Sequence, residues 1–303
     1  MNPQDYSDFF PMRKKILKLV TLNRKEREVK RESKMKKSII ITICLIVALT
    51  LLAVPIMVHL SAPSNDVERA IENAINFFEE SNQQVEPYPL LMLDVIYRRF
   101  GIEEFSDSLE LYDLQITNLP HKASILRVFR RIADYNNQLK QGDLEAVWDD
   151  VDQLTVPALY CNRNGLPTDY QNMFERAVSY GGGYLTHALL AWIWIQENGG
   201  EMALSEDYIE EMYSATAELI NDDSVVIDEE LEAAAFLYIA GQGDLVDDSF
   251  VARTLETQNK HGGWFLTSAD PDLPSWHATS LALLFLLHIK FPANSYPPML
   301  DPA

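Results

Sequence analysis

Between Ile39 and Val58 the chain has twenty consecutive uncharged residues, IIITICLIVALTLLAVPIMV. Wound as a helix at ~1.5 Å per residue, such a run matches the ~30 Å hydrocarbon thickness of a bilayer, so Ser38 to Leu60 reads as a transmembrane helix. The flanks set its direction. Twelve of the 25 Lys and Arg lie between Arg13 and Lys37, whereas Ser, Ala, Pro, Asn and Asp follow Leu60. The positive-inside rule therefore leaves the tail, residues 1–37, in the cytoplasm and places the remainder, after a linker at 61–65, outside it. The alternative is a signal peptide starting at Met35, cleaved after Leu60-Ser61-Ala62 to release a secreted domain. The run is longer than a signal core of about 7–15 residues and Pro63 follows the site at once, which favours a retained anchor.

The same segment divides the charge. The tail carries about +7 and should attract anionic lipid headgroups as well as orient the span, at ~1 kcal/mol per basic residue near the surface. Residues after Leu60 hold 13 Lys and Arg against 40 Asp and Glu, about -27. A surface of that sign repels phosphate backbones and excludes nucleic acid as a partner. Only two cysteines occur, Cys44 in the apolar run and Cys161 beyond it. No disulfide can staple the outer domain, and Cys161 reads as a small apolar filler rather than a nucleophile.

Residues 66–303 are expected to form one all-α domain. Val67, Ala70, Ile71, Ala74, Ile75 and Phe78 recur at helical spacing behind an Asn65 or Asp66 cap, giving a helix to about Ser81. Further stripes predict helices at Leu90–Phe100, His121–Lys140, Leu144–Leu154, Gln171–Tyr180, Tyr184–Asn198, Ser205–Asn221, Asp228–Ala240, Asp247–Asn259 and Trp276–Lys290. Between them stand breakers such as Pro87 and Pro89, Asn164-Gly165-Leu166-Pro167, Gly199-Gly200 and Gly241-Gln242-Gly243. Tyr184–Ile195 and Thr279–Leu287 are apolar nearly all round, so these two should line the centre while amphipathic helices surround them.

A motif repeats across those two helices. Tyr180-Gly181-Gly182-Gly183-Tyr184-Leu185-Thr186-His187-Ala188 is echoed by His261-Gly262-Gly263-Trp264, a polar loop, and Ser275-Trp276-His277-Ala278-Thr279. Each offers paired glycines, an aromatic, and His-Ala opening an apolar helix. The second copy, Gln258 through Trp264 and then Trp276 through Thr279, resembles the helical-hairpin repeat of the α/α-toroid superfamily, which includes terpene cyclases, protein prenyltransferase β subunits and thioester domains. The match covers Thr254 to Leu287 closely and Ser179 to Asn198 loosely, about a fifth of the chain. The resemblance implies an α/α-toroid-like domain with a central cavity, and it places His277 where the prenyltransferases hold a zinc-binding histidine. Their Asp-x-Cys pair is missing, as are the Asp-x-Asp-Asp acid of the cyclases and the Gly-Cys-Gly-Glu-Gln thioester sequence.

Two histidines at equivalent helix starts give a candidate site: His187 and His277, with Tyr184, Trp264 and Trp276 nearby. If they converge, a third ligand such as Asp169, Asp270 or Asp272 would complete a zinc site, or one His would act as a general base; otherwise each histidine fixes its own hairpin. Trp192, Trp194, Trp264 and Trp276 read as core or, alternatively, as an aromatic cage. Asp270-Pro271-Asp272 and Asn221-Asp222-Asp223 lack the spacing of a calcium loop and read as solvated turns. The sequence thus points to a membrane-anchored extracytoplasmic domain that binds a ligand or protein partner without a cofactor. The alternative is a metal- or His-dependent hydrolase or transferase.

Overall fold

The structure, a computed structural model, describes residues 65–81, 85–147, 149–220, 227–265, 274–293 and 295–302. Among them the chain is all-helical, with one isolated antiparallel bridge between Trp264 and Ser275. The basic tail and the apolar segment Ser38–Leu60 lie outside the described residues, and no described helix is long and apolar enough to cross a membrane. Asn221-Asp222-Asp223 and Asp270-Pro271-Asp272 also lie outside them. Residues 63–303 group as one compact unit.

Twelve helices are described: α1 (65–81), α2 (Pro87–Phe100), α3 (Ser108–Asn118), α4 (Ala123–Phe129), α5 (Asp150–Leu159), α6 (Cys161–Asn164), α7 (Tyr170–Tyr180), α8 (Gly182–Glu197), α9 (Glu206–Ile220), α10 (Ile227–Ile239), α11 (Asp248–Thr257) and α12 (Trp276–Lys290). From Tyr170 onward the predicted boundaries fall within about two residues of these. Upstream the differences have physical causes. Pro87 opens α2 instead of preceding it, because the first turn has no acceptor for its amide and loses nothing to proline. The helix predicted over His121–Lys140 is only α4 followed by a single tight turn, Arg130–Ile132. The helix predicted from Leu144 starts instead at Asp150, where the Asp149 carboxylate caps the amide of Val151 at 3.0 Å. α3 is not predicted at all, since it buries only Ser108 and Tyr112 and shows little stripe.

Five helices form an inner layer around a common space. α5 packs on α8, α8 on α10, α10 on α12 and α12 on α2, and Phe129 and Ile132 fill the remaining arc beside Tyr88 of α2. α8 and α12 bury most of their length, as their apolar circumference predicts. The outer layer includes α3 against α2, α7 and α9 against α8, and α9 against α10. The inner helices all run the same way. At one end His277 of α12 meets Asp228 of α10, and Thr186 of α8 bonds Glu232 of α10. At the other end Asn198, just past α8, donates to the last carbonyl of α5, Leu159 O, at 3.1 Å. There Tyr238 of α10 lies 5.7 Å from His288 of α12, and Arg99 of α2 donates to that same ring.

The C-terminal segment crosses this second end as a strap. The Glu197 carboxylate accepts the amides of Met299 and Leu300 at 2.8 and 2.9 Å, Arg98 donates to Met299 O, and Asp301 N donates to Ile132 O. Met299 and Leu300 are thereby buried. His288 anchors the strap's neighbourhood: its Nδ1–H donates to Leu284 O and its bare Nε2 accepts from Arg99. Burial, chiefly, lowers its pKa from 6.5 to about 4. A histidine depressed in the folded state binds its proton more readily when unfolded, so stability is complete above about pH 6.5 and falls as the pH drops toward 4. Urea denaturation across that window should show the loss in the native chain and a shallower one in His288→Gln.

The Gly-Gly-Trp motif ties the last hairpin to α1. Gln258 donates to Gly262 O and to Ala70 O of α1 and accepts from Asn73. Gly262 has φ +87, and a Cβ there would sit 2.2 Å from Asn73 O. Only glycine fits that approach. Trp264 is fully buried, its indole N–H donating to Thr254 O at 2.8 Å and its amide to Thr279 Oγ1 at 3.0 Å. Gly262→Ala should cost at least ~2 kcal/mol through backbone strain and overpacking, measured by equilibrium denaturation.

Candidate functional site

The parallel inner layer gathers the starts of five helices around one cavity of about 230 Å³. Its upper wall carries Tyr88 (α2), Asp152 (α5), His187 (α8), Glu232 (α10) and His277 (α12), each within the first two turns of its helix. Residues further along the same helices, among them Val95, Leu190, Trp194, Phe236 and Leu281, make an apolar lower wall that the strap completes with Met299. At that volume the cavity lies between an engineered hole of about 150 Å³ that holds benzene and the lower range of small-molecule pockets, about 300 Å³.

His187 and His277 therefore share one cavity, while the three aromatics predicted beside them do not line it. Trp264 belongs to the hairpin seam described above. Tyr184 is 39% exposed and makes an edge-on contact with Tyr180, 5.6 Å between ring centres. Trp276, the first residue of α12, is partly buried against the core. Of the other two tryptophans read from the sequence as core or cage, Trp194 lines the cavity and Trp192 packs in the core.

Both histidines are oriented by protein acceptors. His187 Nδ1 lies 2.8 Å from Gly183 O, which can only accept, so the proton sits on Nδ1. His277 Nδ1 faces both Asp228 oxygens, at 3.0 and 3.2 Å. In each neutral ring Nε2 is then the acceptor nitrogen left for another molecule. The side chains of His187 and His277 remain 28% and 41% exposed, so the mouth is open. Burial opposes the charge on His277, but the hydrogen bond and charge of Asp228, with Glu232 and Glu86 behind it, outweigh burial and raise its pKa.

The carboxylates were harder to foresee. Glu232 is only 5% exposed, accepts from Thr186 and lies 3.8 Å from His187 Nδ1. Burial first, then Asp149, raises the Asp152 pKa, against a lowering effect of His187. The signal was present in α10, where Glu229-Glu230-Leu231-Glu232 enters three consecutive alanines. An Ala-rich inner helix has no solvated face for its glutamates. Glu230 pairs with Arg253, and Glu232 turns to the cavity.

Among the described residues no three His, Cys, Asp or Glu side chains gather in metal-holding geometry. Asp169 sits at the start of α7, away from the cavity lining, and Asp270 and Asp272 lie outside the described residues. Cys161 is buried against Gly200, where a Cβ would stand 2.6 Å from its sulfur, and burial pushes its thiol pKa up. That is a packing role. No protein-family model, curated protein or solved structure matches the chain.

Because the raised folded pKa stabilises the fold only while His277 is protonated, the Asp228–His277 contribution is complete below about pH 6.5 and lost as pH rises through the folded value. The stability gap between native chain and Asp228→Asn should therefore narrow from pH 6 to pH 8.5, and ring-proton NMR should show His277 titrating at lower pH in the variant.

Proposed function

We propose that residues 66–303 form an α/α-toroid-like domain that binds a small ligand in its central cavity, held outside the cytoplasm by the Ser38–Leu60 anchor. The observation that carries the reading is the convergence of His187 and His277, at the equivalent starts of two inner helices, on a single cavity with a polar mouth and an apolar base. A concave apolar pocket with a few convergent polar groups is the ordinary form of a small-molecule site. Support for the toroid-like arrangement comes from outer helices α7 and α9 alternating along the chain with inner helices α8 and α10, and from the common direction of the inner helices. The basic tail would lie against anionic lipid on the opposite face of the membrane.

The Asp228–His277 pair favours a second reading, acid–base catalysis with His277 as general base. A carboxylate behind Nδ1 is what a base needs to present Nε2 to a substrate. The cavity-lining hydroxyl on its own helix, Ser280, is committed to the His277 carbonyl at 2.8 Å, so that chemistry would act on a bound molecule or water.

The binding reading is tested with 1-pentanol as probe on the full chain in lipid nanodiscs. Binding should raise the unfolding temperature of the native protein by mass action. Leu190→Phe, which fills the cavity from α8, should fold with the same helix content by circular dichroism and lose that shift. No shift in the native chain, or an equal shift in the variant, overturns the reading.

A further inference from the structure

The lining of the cavity has a charge bias that narrows its ligand. It includes Asp152 and Glu232 with no Lys or Arg among its described residues, and Asp228 stands directly behind His277. Both imidazoles have turned Nδ1–H into the protein, so what they present outward in the neutral form is a lone pair. Tyr88, Phe129, Trp194 and Phe236 add aromatic rings, whose faces attract cations through their negative quadrupoles. The carboxylates and the neutral imidazoles at the mouth are thus acceptors.

Lower down, the need is reversed. Trp194 is 2% exposed, yet its indole N–H, buried on a cavity-lining residue, has no hydrogen-bond partner among the described residues. A buried donor without an acceptor costs about 1–3 kcal/mol, and it stands seven residues beyond His187 on α8, roughly 10 Å along the axis. A molecule filling the cavity can remove that cost by bringing one oxygen to the apolar end.

On the reading that this cavity is a ligand site, we infer that its ligand is a small amine, with an ammonium head bound by Glu232 and Asp152 at the mouth, an apolar body, and a terminal oxygen that accepts from Trp194. Carboxylate-bearing and phosphate-bearing ligands are disfavoured by the same residues, since each would add negative charge beside Glu232 and Asp152 in a lining that holds no Lys or Arg among its described residues.

Three probes that share a hydroxyl and differ only at the other end separate the possibilities: 5-amino-1-pentanol, 1-pentanol and 5-hydroxypentanoate. Calorimetry on the full chain in zwitterionic nanodiscs at pH 8, where an alkylammonium with pKa ~10.4 stays charged, should rank them amine, alcohol, acid. The amine should bind at least tenfold more tightly than the alcohol. Glu232→Gln and, as a milder change at a partly exposed position, Asp152→Asn should each remove most of the amine's advantage over 1-pentanol measured on the same variant. Equal binding of amine and alcohol, or tighter binding of the acid, overturns the amine assignment and leaves the cavity reading standing. Binding of none of the three overturns both.

Discussion

Running five helices in the same direction around one space is the constraint on which the rest of this domain depends. Each helix start carries about half a positive charge from its unpaired amides, and the inner layer places five such ends at one mouth. Left alone they would repel one another. The carboxylates of Asp152, Asp228, Glu229 and Glu232 stand among these ends, and they offset the dipoles while leaving the mouth rich in acceptors. The acidity of this region therefore has a structural cause. The opposite ends have the reverse requirement, and there Arg98, Arg99 and Lys290 sit in the last turns of α2 and α12.

Much of this was legible in the sequence from Tyr170 onward, where two nearly all-apolar helices announced the centre and paired glycines marked its corners. His187 and His277 were found because they occupy equivalent positions in a repeat. The aromatics beside them were not cavity residues, because proximity in sequence at a hairpin corner says nothing about which side of the seam a ring enters. Trp264 shows this: its amide and indole bonds to Thr279 and Thr254 draw it into the hairpin. Asp228 and Glu232 escaped notice for the opposite reason. A charged residue on a helix normally reads as solvated, and only the burial of α10 on several sides reverses that meaning.

The upstream half was less legible. α3 has too little apolar stripe to be seen, and α4 stops early because the chain turns through Arg130–Ile132 to let Arg131 reach Asn198 and Asp301 O, at 3.0 and 3.3 Å. Those contacts join residues 67 and 170 positions apart. No local pattern encodes them.

The strap beneath the cavity has a consequence for how the domain comes into being. Arg98 grips a carbonyl 201 residues away and Glu197 one amide 102 and another 103 residues away. Closing loops of that length is entropically costly and slows folding. During synthesis the inner faces of α2, α5 and α8 emerge well before Met299, so for that interval they expose the apolar surface that will later line the cavity. The order of emergence means that the base of the cavity cannot form until Met299 has been made, and it leaves the growing chain dependent on whatever shields an open apolar trough until the strap arrives.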